Sequence, residues 1–132
     1  ERCLERIKDT WPNATLIQDN AAIMPDVVAV TAICEGNAAK GTKVPLHLFG
    51  TNFQLQVWQA LLRIPSRHFV SYQGVGEALG MTKGMQAVGG AVGANPISLL
   101  IPCHRVIQKS GVLENYGWGT ARKKALLGME CA

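Results

Sequence analysis

The sequence predicts an α+β domain that is mainly helical, and three observations carry that expectation. Beyond Thr51, apolar residues recur at helical spacing in several separate stretches. One segment, Val44-Pro45-Leu46-His47-Leu48, alternates apolar and other residues as a strand does. Of the 132 residues, 48% are hydrophobic and 17% charged, which suits a packed core and not a disordered chain.

Taken in order, Leu4 and Ile7 belong to a short charged helix that must end near Trp11-Pro12, because proline lacks the N–H and crowds the preceding turn. Met24-Pro25 punctuates the next segment. Val27–Ile33 fits a buried helix or a strand, since so short an apolar run has no decisive period. Glu35–Gly41 reads as a loop, and Pro45 places the strand at a sheet edge. Thr51 or Asn52 caps a helix with Phe53, Val57, Trp58, Leu61 and Leu62 on its apolar face, ended by Ile64-Pro65. Ser71 caps a second helix, Tyr72–Leu79, closed by Gly80, and Thr82 caps a third running through Met85, Val88 and Val92 to Ala94. Two short helices joined by a glycine-bearing turn form a helix-turn-helix pattern. The apolar run Ile97–Ile101 leads into Pro102-Cys103-His104-Arg105-Val106. A polar loop, Gln108–Glu114, and a turn, Asn115–Gly119, follow. Thr120 caps a last helix with Leu126 and Leu127 inward and Arg122, Lys123 and Lys124 outward.

Composition narrows the function classes only a little. The formal charge of +4 suits a phosphate backbone, but an ordinary surface with scattered lysines gives the same value. Four widely spaced cysteines, Cys3, Cys34, Cys103 and Cys131, form no CxxC or Cys/His ligand pattern, so neither a metal site, a cofactor nor a disulfide framework is expected. Reduced thiols point to the cytoplasm. There is no apolar run of about 18 residues and no signal-peptide pattern, so no membrane partner is expected.

A free cysteine is by default a small inert hydrophobe. Cys103 differs in having His104 and Arg105 beside it, and basic or cationic neighbours favour thiolate over thiol. The other candidates also have plain readings when taken singly. Tyr72 is a core aromatic, Asn95 a turn residue before proline, His104 a satisfied imidazole and Glu130 a solvated carboxylate. Their joint spacing decides otherwise. Phe53-Gln54, Val57-Trp58 and Leu61 are followed by Ile64-Pro65, Ser71-Tyr72-Gln73, Ala87-Val88-Gly89-Gly90-Ala91 and Asn95-Pro96. Then come Pro102–Val106, Asn115-Tyr116-Gly117, Gly119, Lys123, Leu126-Leu127 and Glu130.

This string, covering Val44–Glu130, resembles the O6-alkylguanine-DNA alkyltransferases, above all the C-terminal domain of the bacterial Ada-type members. The resemblance implies two parts. Residues 1–48 would be a partial N-terminal subdomain, a sheet remnant plus helices, with a linker; the chain opens without an initiator Met and lacks the family's first strands. Residues 49–132 would be a mainly helical DNA-binding and catalytic domain with a winged-helix-like helix-turn-helix. The implied activity is irreversible transfer of the alkyl group of O6-alkylguanine in double-stranded DNA to Cys103, after minor-groove binding and base flipping. O4-alkylthymine is a second candidate substrate, and the protein would act as a monomer, nucleoid-associated in a bacterium.

By the same resemblance, His104 held by Glu130 takes the thiol proton through water, Tyr72 protonates the departing base at N3, and Asn95 ties the recognition helix to the active-site strand. Tyr116 and Gly117 line the base pocket. Gln73, Thr82, Lys83, Gln86, Ala87, Gly90, Ala91 and Arg105 complete the DNA-binding set. Small side chains along Ala87–Ala91 suit a minor groove about 6 Å wide, although tight packing between helices also selects Gly and Ala. Two departures stand out. Gln86 replaces the arginine that the family inserts where the base was, and Thr82 replaces a proline at the helix start. The alternative function is an alkyltransferase-like protein that binds lesions with weak or no transfer. A helix-turn-helix transcription factor accounts for the helix pair but not for Pro102–Val106, and a Cys/His hydrolase would need turnover.

Overall fold

The computed structural model describes residues 2–113 and 116–132, and contains six α-helices and a two-stranded sheet among them. Glu114, the end of the expected polar loop, and Asn115, the start of the expected turn, lie outside the described residues.

Two helices precede the core. The first, α1 (Arg2–Thr10), ends where Trp11-Pro12 requires. The second, α2 (Asn20–Glu35), resolves the ambiguity at Val27–Ile33 in favour of helix. It starts at Asp19, whose side chain accepts from the Ala22 amide, and stops at Gly36, whose φ of 73° turns its N–H back onto the Ala32 and Ile33 carbonyls. Contrary to expectation, Pro25 does not punctuate this segment. It sits inside the helix, where the carbonyl it leaves without a donor, that of Ala21, belongs to an exposed residue that water can reach. None of the residues of α2 is buried, and Ile23, Met24, Val27 and Val28 are exposed.

The expected strand at Val44–Leu48 is not formed, and no sheet remnant occurs among the described residues of 1–48. A strand needs a neighbour to take its backbone hydrogen bonds, and this segment pairs with none. The alternation is nonetheless real as burial: Val44, Leu46 and Leu48 are half-buried between exposed neighbours, and Leu46 and Leu48 pack on the core.

The core belongs to the second part of the chain. Thr51 caps α3 (Asn52–Leu62) in a reciprocal box with Gln54, and the helix buries Val57, Trp58 and Leu61. Leu62, expected on that face, is exposed. Ser71 caps α4 (Tyr72–Ala78) through the Gly74 amide. Then α5 (Met85–Gly93) lays Val88, Ala91 and Val92 against α3, where the Trp58 indole N–H donates to the Ala91 carbonyl at 2.8 Å. The turn between α4 and α5 uses Gly80 and Gly84 at φ of 74° and 82°. Gly84 is therefore the N-cap of α5, and Thr82, expected to cap it, lies two residues outside with no such bond. At Gly76 the helices approach so closely that a Cβ would lie 2.6 Å from the Met85 sulfur.

The sheet is small but placed where it matters. Strands β1 (Val70–Ser71) and β2 (Val106–Ile107) pair in parallel, Val70 with Val106 and Ser71 with Ile107. This fastens the entry of the helix-turn-helix to the segment just after Cys103. The last helix, α6 (Thr120–Cys131), starts after Gly119 without a side-chain cap, so Thr120 is its first residue and not its cap.

Candidate active site and nucleic-acid interface

Cys103 is presented by backbone that the sequence does not show. The run Ile97–Ile101 is a set of turns, not an active-site strand, and Cys103–Arg105 forms a single 3-10 turn. Asn95 braces this connection from inside. Fully buried, it donates from Nδ2 to the Ile101 carbonyl at 2.8 Å and accepts at Oδ1 from the Ile97 amide at 3.0 Å. Both of these side-chain bonds lie within the connection from α5 to Cys103, which is made of turns and not of the expected strand. Within the braced segment Leu99 has φ of 79°, a conformation that costs a leucine energy and persists only where the surroundings hold it.

The 3-10 turn buries both Cys103 and His104. His104 Nε2 lies 2.8 Å from Glu130 Oε1 on α6. Burial pushes the His104 pKa below its ordinary value; the hydrogen bond and charge of Glu130 oppose that, while Arg105 and Lys123 add to it. The Glu130 carboxyl moves the other way. Burial raises it, but hydrogen bonds from Arg105, His104 and the Arg67 amide, with the Arg105 charge, bring it down to about 2. A carboxylate that can only accept gives Nε2 the proton, so a neutral His104 carries its free lone pair on Nδ1. That Nδ1 is buried and has no hydrogen-bond partner among the described residues. An unpaired basic nitrogen in a buried site is the arrangement a proton acceptor needs.

Glu130 also holds Arg105. The guanidinium donates to both carboxylate oxygens at 2.8–3.0 Å, to the Ile64 carbonyl at 2.6 Å and to Ser66 Oγ at 2.9 Å. Arg105 was expected to contact DNA. Its donors are instead spent inside the protein, clamping α6 to the turn after α3, and it has no fork left for a phosphate. The clamp gives a pH dependence with a definite sign. Since Glu130 ionises at about 2 when folded and near 4.5 otherwise, its contribution to stability is complete above the higher value. It is lost as the pH falls toward 2. Urea midpoints should therefore drop across that interval in the wild type, and Glu130→Gln should flatten the drop. Parallel curves for the two proteins would remove Glu130 from this role.

Cys103 itself is 2% exposed, and its sulfur lies 3.4 Å from the Tyr116 hydroxyl. Tyr72 is half-buried nearby; burial, then the charge of Cys103, raise its pKa, so the phenol keeps the proton it would donate. Gly117 stands where a Cβ would meet the Gly93 carbonyl at 3.3 Å, which brings the segment before α6 close against the end of α5.

Lys123 was expected on the surface and is 1% exposed. Its ammonium donates to the Val106 carbonyl at 2.6 Å and lies 5.5 Å from the centre of the Tyr116 ring. Burial lowers its pKa and the Cys103 charge opposes that. Lys123 thus joins the site from α6. The sequence signal that could have found it is its heptad-like offset from Glu130, seven residues on, which puts both on one helix face.

The DNA-facing set divides. On α5, Gln86, Ala87 and Gly90 are exposed, as are Thr82 and Lys83 in the turn before it. Ala91 is not: it is buried, its carbonyl taken by Trp58, so it serves the core. Gln73 is exposed, donates to Glu77 at 2.8 Å and accepts from Lys109 at 3.5 Å. The tight-packing explanation for the glycines of α5 fails at Gly90 and Gly93, where a Cβ would meet nothing within 4 Å. These helix positions are small without any internal need.

The family described as 6-O-methylguanine DNA methyltransferase, DNA binding domain, matches residues 52–132. The chain belongs to this family. Within the methyltransferase family it is 38% identical to the inducible methylated-DNA–protein-cysteine methyltransferase of Bacillus subtilis (strain 168), over 98% of this chain and 72% of that protein. It is 48% identical to the bifunctional transcriptional activator/DNA repair enzyme Ada of Escherichia coli (strain K12), over 66% of this chain but only 25% of the Ada protein. Among methyltransferase structures, that of Mycobacterium tuberculosis OGT in complex with DNA superposes with a TM-score of 0.73 at 43% identity, covering 81% of this chain and 66% of that one. The α+β class expected from sequence stands, with the sheet moved from the N-terminal part to β1 and β2. Among the described residues no helix is long and apolar enough to cross a membrane, and no cluster of His, Cys, Asp and Glu forms a metal site.

Proposed function

We propose that this chain repairs O6-alkylguanine in double-stranded DNA by moving the alkyl group irreversibly to its own Cys103, with residues 49–132 as the working unit. The observation that carries the reading is the buried run Cys103-His104 with Glu130 on one imidazole nitrogen and nothing on the other. In the step, the Cys103 sulfur forms a bond to the alkyl carbon as the carbon–O6 bond breaks. The thiol proton passes to His104 Nδ1 through water, and Tyr72 supplies a proton to guanine N3 as the base leaves. The exposed face of α5 enters the minor groove, and the target base is turned out of the stack toward Tyr116 and Gly117. The protein acts as a cytoplasmic monomer, and O4-alkylthymine is a second substrate to assay.

The test is intact mass after incubation with duplex DNA containing O6-methylguanine. One added methyl per chain, with a plateau at one equivalent, is expected, since a thioether has no group here to hydrolyse it. Binding without a mass change would mark a lesion-binding relative, and methyl release beyond one equivalent would sink single use.

The Gly90 position separates groove fit from packing. Gly90→Ala fills empty space on a helix and should raise stability by roughly 1 kcal/mol. Gly90→Leu should keep the fold but weaken DNA binding, because its bulk points at the groove. Equal binding by Gly90→Leu and wild type would take α5 off the DNA.

At Gln86, the side chain is exposed and uncharged where the family inserts an arginine. Gln86→Arg should raise the rate on duplex DNA several-fold, by roughly one charge-assisted contact, and leave the rate on single strands nearly unchanged. An unaltered ratio of the two rates would show that Gln86 does not limit flipping.

A further inference from the structure

We propose that Ser98 is a positioning residue for alkyl transfer: its hydroxyl donates to the Tyr116 phenol oxygen and so turns the phenol proton onto the Cys103 sulfur. The inference rests on the transfer reaction proposed above and adds to it a residue from the turn between α5 and Cys103.

The three groups form a line. Ser98 Oγ lies 3.1 Å from the Tyr116 hydroxyl oxygen, which lies 3.4 Å from Cys103 Sγ. A phenol has one proton and cannot donate to both neighbours. While Cys103 is a thiol, its S–H can donate to Tyr116 and Tyr116 to Ser98. Once the thiol proton has gone to the base, sulfur can only accept. The line then has one consistent direction, Ser98 to Tyr116 to sulfur. Ionisation of Cys103 thus reverses the two hydroxyls without moving a heavy atom.

The reversal matters because the sulfur is almost wholly shielded from bulk solvent, at 2% exposure. A buried anion without donors is costly, and hydrogen bonds to the charged form favour it. Tyr116 keeps its proton for this purpose: burial, then its hydrogen bond to Cys103, raise its pKa well above the ordinary phenol value, with Ser98 opposing. One donor on sulfur leaves other lone pairs free to attack carbon. A phenol free to rotate toward solvent would give the thiolate less support.

The surroundings hold each member in place. Lys123 sits over the Tyr116 ring. Ser98 is carried by the segment that Asn95 bonds at both ends, next to Leu99 in its positive-φ conformation. The contacts that hold Leu99 in this conformation also hold the backbone that presents the hydroxyl beside it.

The test measures single-turnover methyl transfer from a single-stranded O6-methylguanine oligonucleotide, with rate and apparent Kd obtained separately. Ser98→Ala should lower the saturating rate about five- to tenfold, the weight of one hydrogen bond, with apparent Kd changed less than about twofold. Ser98→Thr, which restores a hydroxyl, should recover most of the rate. In a Tyr116→Phe background, Ser98→Ala should have no further effect, because the hydroxyl it acts through is gone. The proposal is overturned if Ser98→Ala is as fast as wild type, if threonine does not recover the rate, or if the alanine change costs the same factor in both backgrounds. A wild-type chain that takes up no methyl would instead overturn the transfer reaction itself.

Discussion

Cys103→Ala should bind O6-methylguanine DNA as the wild type does and take up no methyl. The substitution removes one sulfur from a braced turn, so the fold and the exposed face of α5 should persist. Three other cysteines could in principle accept an alkyl group. Cys3, Cys34 and Cys131 are all exposed. Cys34 deserves the control because it lines a cavity of about 490 Å³ with His104, Arg105 and Glu130. Burial pushes its thiol pKa up, with Glu130 and Glu35 adding to that and Arg105 opposing, so it holds less thiolate at neutral pH. Peptide mapping of the treated variant decides. A methyl on Cys34 would move the acceptor from Cys103 to the cavity that Cys34 lines with His104.

His104→Ala should slow transfer by roughly 10²- to 10⁴-fold, the usual weight of a positioned proton acceptor, with DNA affinity changed by less than about twofold. The depressed pKa of His104 adds a signature in pH. A base works while neutral, so the wild-type rate should hold as the pH falls past the ordinary imidazole value of about 6.5 and decline only below it. The His104→Ala variant should lack that decline. Glu130→Gln should behave differently, because it also strips Arg105 of its anion: a loss of stability on the order of 3 kcal/mol should accompany any loss of rate. Equal losses of affinity and rate in His104→Ala would assign the imidazole a structural place instead.

The local chemistry of the helices was legible in the sequence because it is carried by neighbours in the chain. Thr51 and Ser71 cap helices α3 and α4 as their spacing predicts, and Gly80 turns where φ must be positive. Burial was legible too, at Val44, Leu46 and Leu48, but pairing was not, because an alternating pattern says nothing about whether a partner strand exists. At the site, long-range contacts overrode the reading of single residues. Lys123 reads as a solvated charge until the Val106 carbonyl, 17 residues away, is brought to it. Arg105 reads as a member of the DNA-binding set until Ile64, Ser66 and Glu130 are brought to its donors. His104 and Glu130 were named by resemblance; their 2.8 Å contact supplies the physical reason.

The clamp between Arg105 and Glu130 has a consequence for the order in which this protein becomes reactive. Glu130 lies 26 residues beyond His104, on the face of a helix that follows the whole base-pocket loop. During synthesis Cys103 therefore emerges well before the carboxylate that orients its imidazole and the ammonium that holds Tyr116. A nascent chain carries Cys103 before it has Lys123 and Glu130. On the transfer reaction proposed above, in which each chain is used once, this order would withhold chemical competence until the polypeptide has closed on itself, so that an unfinished molecule is not spent on stray electrophiles.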